Sequence, residues 1–174
     1  KNEAFKEPRL YRKRFVHEML GFNYRMTNIQ AAIGVGQMEH ADELVEARIR
    51  NARLYNELLM DVKGIITPYT APYVKNVHWM YAVRAAPEFG LSKDELMKKL
   101  LEKGVETRSF FIPMNRQPVF VRGGDERYPD VSGSYPVAEK LGRTGLYLPS
   151  GSSLTEEQIR AVVNAIKEAR NEAE

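Results

Sequence analysis

The sequence predicts an α+β domain in which about four short, largely antiparallel strands pack under helices. Three observations lead to this prediction: helical periodicity that begins at capping boxes, short alternating apolar segments between the helices, and a length suited to one core. At 174 residues, the chain fits one domain, or one domain with a piece of another. The elements are taken below in chain order.

A long first helix is predicted from about residue 28 to residue 59. Thr27 and Gln30 have the spacing of a capping box, in which each side chain accepts the other's backbone N–H. Apolar residues then recur at helical spacing, at Leu44, Ala47, Leu54 and Leu58. Small residues near the start would let a neighbouring backbone approach closely, namely Ala31, Ala32, Gly34 and Gly36. Gly64 is predicted to end this helix.

The middle of the chain predicts a strand, helix, strand order. A short strand at 65–68 is followed by a loop and by a second strand at 78–85, whose residues alternate in polarity. Ser92 and Glu95 form a second capping box. They begin a helix that ends at Gly104 and turns inward three leucines, Leu96, Leu100 and Leu101. A third strand is predicted at 105–112.

The last third is predicted to open with a long irregular loop at 113–132, rich in proline and glycine. A short helix at 135–142 and a strand at 145–148 follow. A third capping box at Thr155 then begins the final helix. Its inward face is predicted to consist of Ile159, Val162, Val163 and Ile166.

Composition excludes several kinds of site. The chain has no cysteine, which removes disulfides and cysteine nucleophiles, and its three histidines lie too far apart for a zinc motif, so we expect no metal site. Neither a G-x-S-x-G motif nor a phosphate-binding glycine loop occurs. No long apolar run or signal peptide is visible, and a cysteine-free chain fits the cytoplasm. We expect no partner among membranes or nucleic acids, although the first fourteen residues are basic.

The polar segment at 21–26 is the strongest candidate for a functional site. Asn23, Tyr24 and Arg25 stand directly before the capping box of the first helix. Two interpretations of these three residues are open at this point. They present donors to a ligand or partner, or they only cap neighbouring elements.

Three segments of the sequence, at 21–34, 104–120 and 134–159, resemble segments of the DegT/StrS family of pyridoxal-phosphate-dependent sugar aminotransferases. The segment GFNYRMTNIQAAIG, at 21–34, is similar to the family's G-aromatic-N-Y-R-M-T-x-I/L-Q-A-A motif. GVETRSFFIPMNRQPVF, at 104–120, and SYPVAEKLGRTGLYLPSGSSLTEEQI, at 134–159, resemble two later family segments in the same order. Within the family, the chain looks most like the perosamine-synthase branch, which aminates a nucleotide-linked 4-keto-6-deoxy sugar.

The resemblance implies the fold type I aminotransferase architecture. In it, a large domain that binds pyridoxal 5'-phosphate (PLP) precedes a small C-terminal α+β domain, and homodimers share their active sites across the interface. Residues 1–35 would then be the tail of the large domain and the start of the long helix, and 36–174 the small domain. The chain would be a fragment without catalytic residues, because the Schiff-base lysine is expected upstream. It would be inactive alone, and the whole enzyme would move an amino group from glutamate to the sugar.

Site residues are carried over by motif position. Asn23 matches the asparagine that hydrogen-bonds the cofactor phosphate of the other subunit. Arg25 matches a position that binds substrate phosphates or pairs within the interface, and Tyr24 stands between the two. His17 matches a position that lines the sugar site or makes an interface hydrogen bond. Asn115 replaces a histidine of many members at a substrate-binding position, which removes a group that titrates near neutrality.

Two alternatives remain open. Arg108 either meets a ligand phosphate or braces the sheet, and the bracing role is favoured. The whole chain is either part of the enzyme or a regulatory or binding module that kept the small-domain fold without catalysis. The coding sequence upstream of Lys1 would distinguish these two: a lysine-bearing cofactor segment indicates the enzyme, and a nearby start codon indicates the module.

Overall fold

The computed structural model describes residues 16–123 and 128–172. Six α-helices lie in these ranges: α1 (Asn28–Met38), α2 (Ala41–Leu59), α3 (Lys93–Glu102), α4 (Pro118–Val121), α5 (Pro136–Thr144) and α6 (Glu156–Asn171). Two 3-10 turns occupy Pro87–Phe89 and Met114–Arg116. The four strands are β1 (Ile65–Ile66), β2 (Tyr81–Ala85), β3 (Arg108–Ser109) and β4 (Gly145–Leu148).

The four strands form one antiparallel sheet in the order β1-β2-β4-β3. Tyr81 pairs with Leu148 in the β2–β4 register, and Arg108 pairs with Tyr147 in the β3–β4 register. Because β2 and β4 are central, their inward residues are almost fully buried. The predicted α+β class with a short, largely antiparallel sheet is confirmed.

The core lies between one face of this sheet and helices α2, α3 and α6. Helix α6 packs against both of the other two helices. All four residues predicted for its inward face are buried, as are Leu96 and Leu100 of α3, whereas Leu101 is half-buried. Two tyrosines, Tyr55 and Tyr81, stack in the core with ring centroids 4.6 Å apart. Their hydroxyl groups are satisfied by the Pro149 carbonyl and by Asn56 Oδ1.

All three predicted capping boxes are present. Thr27, Ser92 and Thr155 each accept the backbone N–H three residues on, and each of those residues returns a side-chain oxygen to the cap backbone. Gly104 follows the end of α3 with φ 80°, as the prediction of a C-terminal glycine requires. Gly64 also has a positive φ, but it lies five residues beyond α2 and leads into β1.

The single long helix that the sequence predicts is wrong. The chain turns at Glu39 and His40, which separates α1 from α2, and His40 makes no side-chain capping hydrogen bond. The physical reason is packing: α1 has no buried residue, whereas α2 buries a continuous face against the core. Leu44, one of the apolar residues at helical spacing in the predicted helix, is exposed. No described atom lies within 4 Å of a Cβ built at Gly34 or Gly36, so their predicted close approach is not made by any residue of the described ranges.

Three predicted strands are shorter than their sequence pattern, and the first of them, β1, keeps only Ile65 and Ile66 of the predicted 65–68. Strand β2 begins at Tyr81, because Asn76 closes a turn that places His78 in the left-handed region at φ 46°. Trp79, which falls within the predicted strand, therefore lies before β2 and is exposed. Strand β3 keeps only Arg108 and Ser109 of the predicted 105–112, since the ladder with β4 covers only those two residues.

Residues 17–38 carry an unusual number of exposed apolar side chains. They include Met19, Phe22, Met26, Ile29, Ile33, Val35 and Met38, each of which is more than 60% exposed. We call these seven side chains the apolar band. In the described part of the chain, no helix combines the length and the apolar character needed to cross a membrane.

Candidate active-site segments

The segment before α1 contains a tight turn that an asparagine side chain closes. Asn23 Oδ1 accepts a hydrogen bond from the backbone N–H of Arg25 at 2.9 Å. Arg25 has φ 58°, and this left-handed conformation costs a non-glycine residue roughly 1–2 kcal/mol. The side-chain hydrogen bond stabilises the turn against that cost. Because Oδ1 is the acceptor, the Nδ2 group of Asn23 is left as a donor, and no residue of the described ranges accepts from it.

This turn presents three kinds of donor to solvent. Tyr24 is 88% exposed, and both Asn23 and Arg25 are also exposed. An amide, a phenol and a guanidinium are all donors, and a guanidinium also carries the charge that phosphate oxygens favour. The residues present therefore fit an anionic phosphate group. The Asn23 oxygen fits the capping interpretation, because it closes the turn on Arg25. The Nδ2 group of Asn23 remains available as a donor, which the ligand-binding interpretation requires.

The same turn geometry occurs a second time in the chain. Asn76 Oδ1 accepts from the backbone N–H of His78 at 2.9 Å, and His78 has φ 46°. Partial burial lowers the pKa of the His78 imidazole. The asparagine turn is thus a local structural device, and only its surroundings give the copy at Asn23 a separate candidate role.

A second candidate segment lies at the 3-10 turn Met114–Arg116. Asn115 Nδ2 donates to Glu139 Oε1 at 3.3 Å, and Arg116 Nη2 contacts the same oxygen at 3.0 Å. Glu139 lies in the first turn of α5. Since only the nitrogen of the Asn115 amide can donate to a carboxylate, the Oδ1 atom of Asn115 remains as an acceptor.

Asn115 borders an open groove of about 800 Å³. The groove is lined in part by Phe120, Tyr128, Ser132 and Glu139. It combines two aromatic side chains with a hydroxyl, an amide and a carboxylate. Such a lining suits a polar ring compound, since the aromatic surfaces pack against it and the polar groups orient it.

His17 is held through its backbone. Its N–H donates to Gln117 Oε1 at 3.0 Å, and its carbonyl accepts from the Val119 N–H at 3.0 Å. The imidazole is exposed. The structure therefore places His17 beside the loop that carries Asn115, and it leaves both predicted roles of the side chain open.

Arg108 lies on β3 with an exposed side chain, at the edge of a second groove that also contains Trp79 and Tyr147. Both of its possible roles, contact with a ligand phosphate and bracing of the sheet, stay predictions. A different arginine does brace the fold: Arg48 Nη1 donates to the carbonyls of Trp79 and Ser150 at 2.6 and 3.0 Å.

The structure joins some of the predicted site residues and not others. His17 lies against the loop of Asn115, whereas no hydrogen bond or ion pair connects Asn23, Tyr24 or Arg25 to Asn115. Sequence reasoning missed Gln117 and Glu139, which hold these loops in place. Their partners are distant in sequence, and no local pattern singles them out. Within residues 16–123 and 128–172, no group of three or more acidic or histidine side chains is arranged for a metal ion.

The predicted resemblance is confirmed by comparison with known proteins. Residues 3–167 match the model of the DegT/DnrJ/EryC1/StrS aminotransferase family. GDP-perosamine synthase of Caulobacter vibrioides is 36% identical over 155 residues, which are 88% of this chain and 40% of that protein. EpsN of Bacillus subtilis, assigned as a pyridoxal phosphate-dependent aminotransferase, is 33% identical over 153 residues, or 87% of this chain and 38% of that protein.

A solved structure extends the similarity to the fold. DesV of S. venezuelae superposes with a TM-score of 0.73 at 30% identity, covering 91% of this chain and 40% of that one. The chain thus spans about 40% of the length of the curated relatives that it matches. On the family match and the shared fold, this chain belongs to the DegT/DnrJ/EryC1/StrS aminotransferase family.

Proposed function

We propose that this chain is the C-terminal part of a PLP-dependent enzyme that transfers an amino group from glutamate to a nucleotide-linked 4-keto-6-deoxy sugar. Membership of the aminotransferase family supports the reaction class. The similarity to a GDP-perosamine synthase supports a nucleotide-linked sugar as the acceptor. Residues 1–35 are the tail of the PLP-binding domain in this proposal, and 36–174 form the small domain. Location in the cytoplasm remains a prediction of the sequence.

The observation that carries the proposal is the free amide of Asn23 beside an arginine with a constrained backbone. The turn fixes the asparagine oxygen, so the Nδ2 group is oriented to donate outward. A phosphate group accepts such hydrogen bonds, and a charged acceptor makes them stronger than neutral ones. We therefore assign Asn23 to the phosphate of PLP. When bound, PLP supplies an electron sink for the bonds that change at the amino-bearing carbon.

The phosphate that Asn23 binds is proposed to belong to a second subunit. The apolar band leaves seven large side chains of residues 17–38 exposed. Water contact of this kind is unfavourable by about 25 cal/mol for each Å² of apolar surface. The Asn23 turn lies in the same segment as the apolar band. If another subunit covers the band, the turn would therefore lie against that subunit. The proposed homodimer supplies such a surface and makes each site a shared one.

Substrate contacts are proposed for four further residues. Arg25 and Tyr24 present a guanidinium and a phenol beside the phosphate donor, where they would bind the charged part of the nucleotide-linked sugar. Asn115 would accept a hydrogen bond from a sugar hydroxyl through its Oδ1 atom. His17 would line the same region. Because Asn115 does not titrate, no proton transfer is assigned to its position.

The covalent chemistry is not assigned to any residue of this chain. The lysine that holds the cofactor is proposed to lie outside residues 1–174. We expect the 174-residue polypeptide alone to form no covalent bond with PLP, whose site is proposed to lie mostly outside this chain. Borohydride treatment followed by mass spectrometry would leave its mass unchanged, and a stable gain of the cofactor mass at one lysine would contradict the assignment.

The natural full-length polypeptide provides the test of the reaction. It would be incubated with PLP, glutamate and a GDP-linked 4-keto-6-deoxyhexose, and the sugar product would be analysed by mass spectrometry. The proposal predicts a 4-amino sugar nucleotide and an equal amount of 2-oxoglutarate. The rival interpretation, a regulatory or binding module, predicts no amino transfer with any donor or acceptor.

The shared site has its own test. Subunits carrying Asn23→Ala would be assembled with subunits whose cofactor lysine is replaced. Each mixed dimer then has one site with both groups intact and one site with neither. At a limiting PLP concentration, where Asn23→Ala subunits have low activity and the lysine variant has none, mixing is expected to raise the activity, whereas no recovery in a verified mixed dimer would exclude Asn23 acting across the interface.

A further inference from the structure

A set of long-range contacts fastens the start of the described chain to the loop that follows the second candidate segment. His17 exchanges hydrogen bonds with the Gln117 side chain and the Val119 backbone, and Glu18 forms an ion pair with Arg122. We call these five residues the clasp. Its partners are separated by about one hundred residues in sequence.

Gln117 is the buried part of the clasp. Only 3% of its surface is exposed, and both ends of its amide are used. The oxygen accepts from the His17 N–H at 3.0 Å, and the nitrogen donates to the Ile112 carbonyl at 3.3 Å. Glutamate of the same length would lose the donor, and methionine would lose both groups. The position therefore requires glutamine for a reason other than volume.

The clasp connects two segments that sequence reasoning treated separately. On one side, Asn23 follows Glu18 by five residues, in the turn that precedes α1. On the other side, Asn115 lies two residues before Gln117 in the adjoining 3-10 turn. Apart from the hydrogen bond that the Gln37 carbonyl accepts from the His40 N–H, only His17 and Glu18 of residues 16–39 form hydrogen bonds or ion pairs with the rest of the described chain.

We infer that Gln117 is a positioning residue, which fixes the Asn23 turn relative to the groove beside Asn115. This inference rests on the proposed function, because it assumes that the two segments serve one active site. Residues 18–26 form a loop held at one end by the clasp and at the other by the capping box of α1. Releasing one end of such a loop increases its conformational entropy, and cofactor binding then has to restore the order.

The test uses the natural full-length polypeptide and the variant Gln117→Met. Methionine conserves the volume and removes the hydrogen bonds with His17 and Ile112. Loss of the hydrogen bond to the His17 N–H is expected to speed hydrogen exchange in residues 18–26 by about two- to tenfold, measured at the Arg25 N–H, which donates to Asn23 Oδ1. The apparent affinity for PLP is expected to fall by a similar factor, while the mid-point of global unfolding changes only modestly.

Two further variants separate positioning from general stability. Asn51→Leu removes another buried amide, which donates to the Gly151 carbonyl at 3.0 Å and forms no hydrogen bond with any of the five residues of the clasp. It should lower overall stability and leave both the exchange of 18–26 and the PLP affinity unchanged. Arg122→Gln breaks only the exposed pair with Glu18, so we expect a smaller but measurable effect of about twofold, in the same direction as Gln117→Met.

The outcomes distinguish the clasp from the proposed function. If Gln117→Met folds but keeps wild-type exchange and PLP affinity, the positioning role is overturned and the enzyme assignment stands. If Asn51→Leu loosens 18–26 equally, the effect is general instability, and the inference is also overturned. If the wild-type polypeptide binds no PLP, the proposed function fails, while the exchange of 18–26 still shows whether Gln117 holds the loop. Should Gln117→Met fail to fold, Arg122→Gln decides: wild-type exchange of 18–26 in it rejects the clasp.

Discussion

The turn at Asn23 allows its structural role and its proposed binding role to be measured separately. Asn23→Ala removes the Oδ1 acceptor that closes the turn on Arg25 and also the Nδ2 donor. Asn23→Asp keeps an acceptor for the Arg25 N–H and replaces the donor with a second carboxylate oxygen. The two variants therefore differ in whether the turn survives, and neither keeps the donor.

The expected magnitudes follow from the proposed hydrogen bond to phosphate. A hydrogen bond to a charged group is worth about 1.5–3 kcal/mol, so its loss in Asn23→Ala would weaken PLP binding about 10- to 150-fold. Asn23→Asp adds a negative charge beside the phosphate, and like charges within a few ångströms repel. We therefore expect PLP affinity to fall in the order wild type, Ala, Asp.

A purely structural role for Asn23 predicts a different order. Asp would then bind PLP like the wild type, because the turn is intact, and only Ala would be weakened. The chain also contains a matched control in the second asparagine turn, where Asn76 holds His78 at φ 46°. Asn76→Ala should destabilise its turn by about 1 kcal/mol or less and leave PLP affinity unchanged.

The measurement is a titration of cofactor-free, full-length protein with PLP, followed by absorbance or intrinsic fluorescence. Circular dichroism and unfolding curves establish that each variant is folded. Asp binding PLP as tightly as the wild type would refute the donor role of Asn23. A loss of affinity in Asn76→Ala equal to that in Asn23→Ala would refute the site-specific explanation altogether.

Three further predictions concern the scaffold. Burial raises the pKa of both Tyr55 and Tyr81, so these side chains stay protonated in the folded state above pH 10 while they ionise in the unfolded state. Stability measured by urea unfolding should therefore fall above about pH 10, by at most roughly 2–3 kcal/mol per pH unit for the pair, and Tyr55→Phe should reduce that slope. Gly64→Ala would place a Cβ 2.2 Å from the backbone of the first 3-10 turn and should cost several kcal/mol, whereas Gly104→Ala, with a similar φ and no atom within 4 Å, should cost about 1 kcal/mol. Hydrogen bonds from two lysines, Lys103 and Lys99, lower the pKa of Glu172 to about 2. The stabilising contribution of Glu172 should therefore be complete above about pH 4.5 and lost as the pH falls toward 2. Glu172→Gln should remove this acid dependence from unfolding curves.

Features that depend on neighbouring residues in the sequence were predicted well. The three capping boxes and the inward face of α6 follow from spacings of three and four residues, and the structure contains all of them. Strand β4 was predicted with its observed bounds, because it is a short apolar segment that ends at a proline.

Features that depend on distant partners were not predicted. The break after α1 reflects what each helix packs against, and the pattern of small and apolar residues runs through it without interruption. Gln117 stands in a loop that the sequence describes only as irregular, and its burial depends on His17, one hundred residues earlier. Glu139 was missed for the same reason. The sequence shows only an acidic residue in the first turn of a helix, whereas in the structure Asn115 and Arg116 contact its side chain.

The exposure of α1 affects how firmly the Asn23 turn is held in place. Its N-terminal capping box is complete, yet none of its eleven residues is buried. Isolated helices shorter than about 12–15 residues are marginal in water, so local signals alone do not hold α1 firmly. Contacts made by the apolar band would supply the missing stabilisation, and they would fix the second end of the loop whose first end is held at Gln117. When the apolar band is covered, α1 should therefore be protected from hydrogen exchange. A polar substitution at Ile29 or Ile33 should weaken both this protection and the binding of PLP through Asn23.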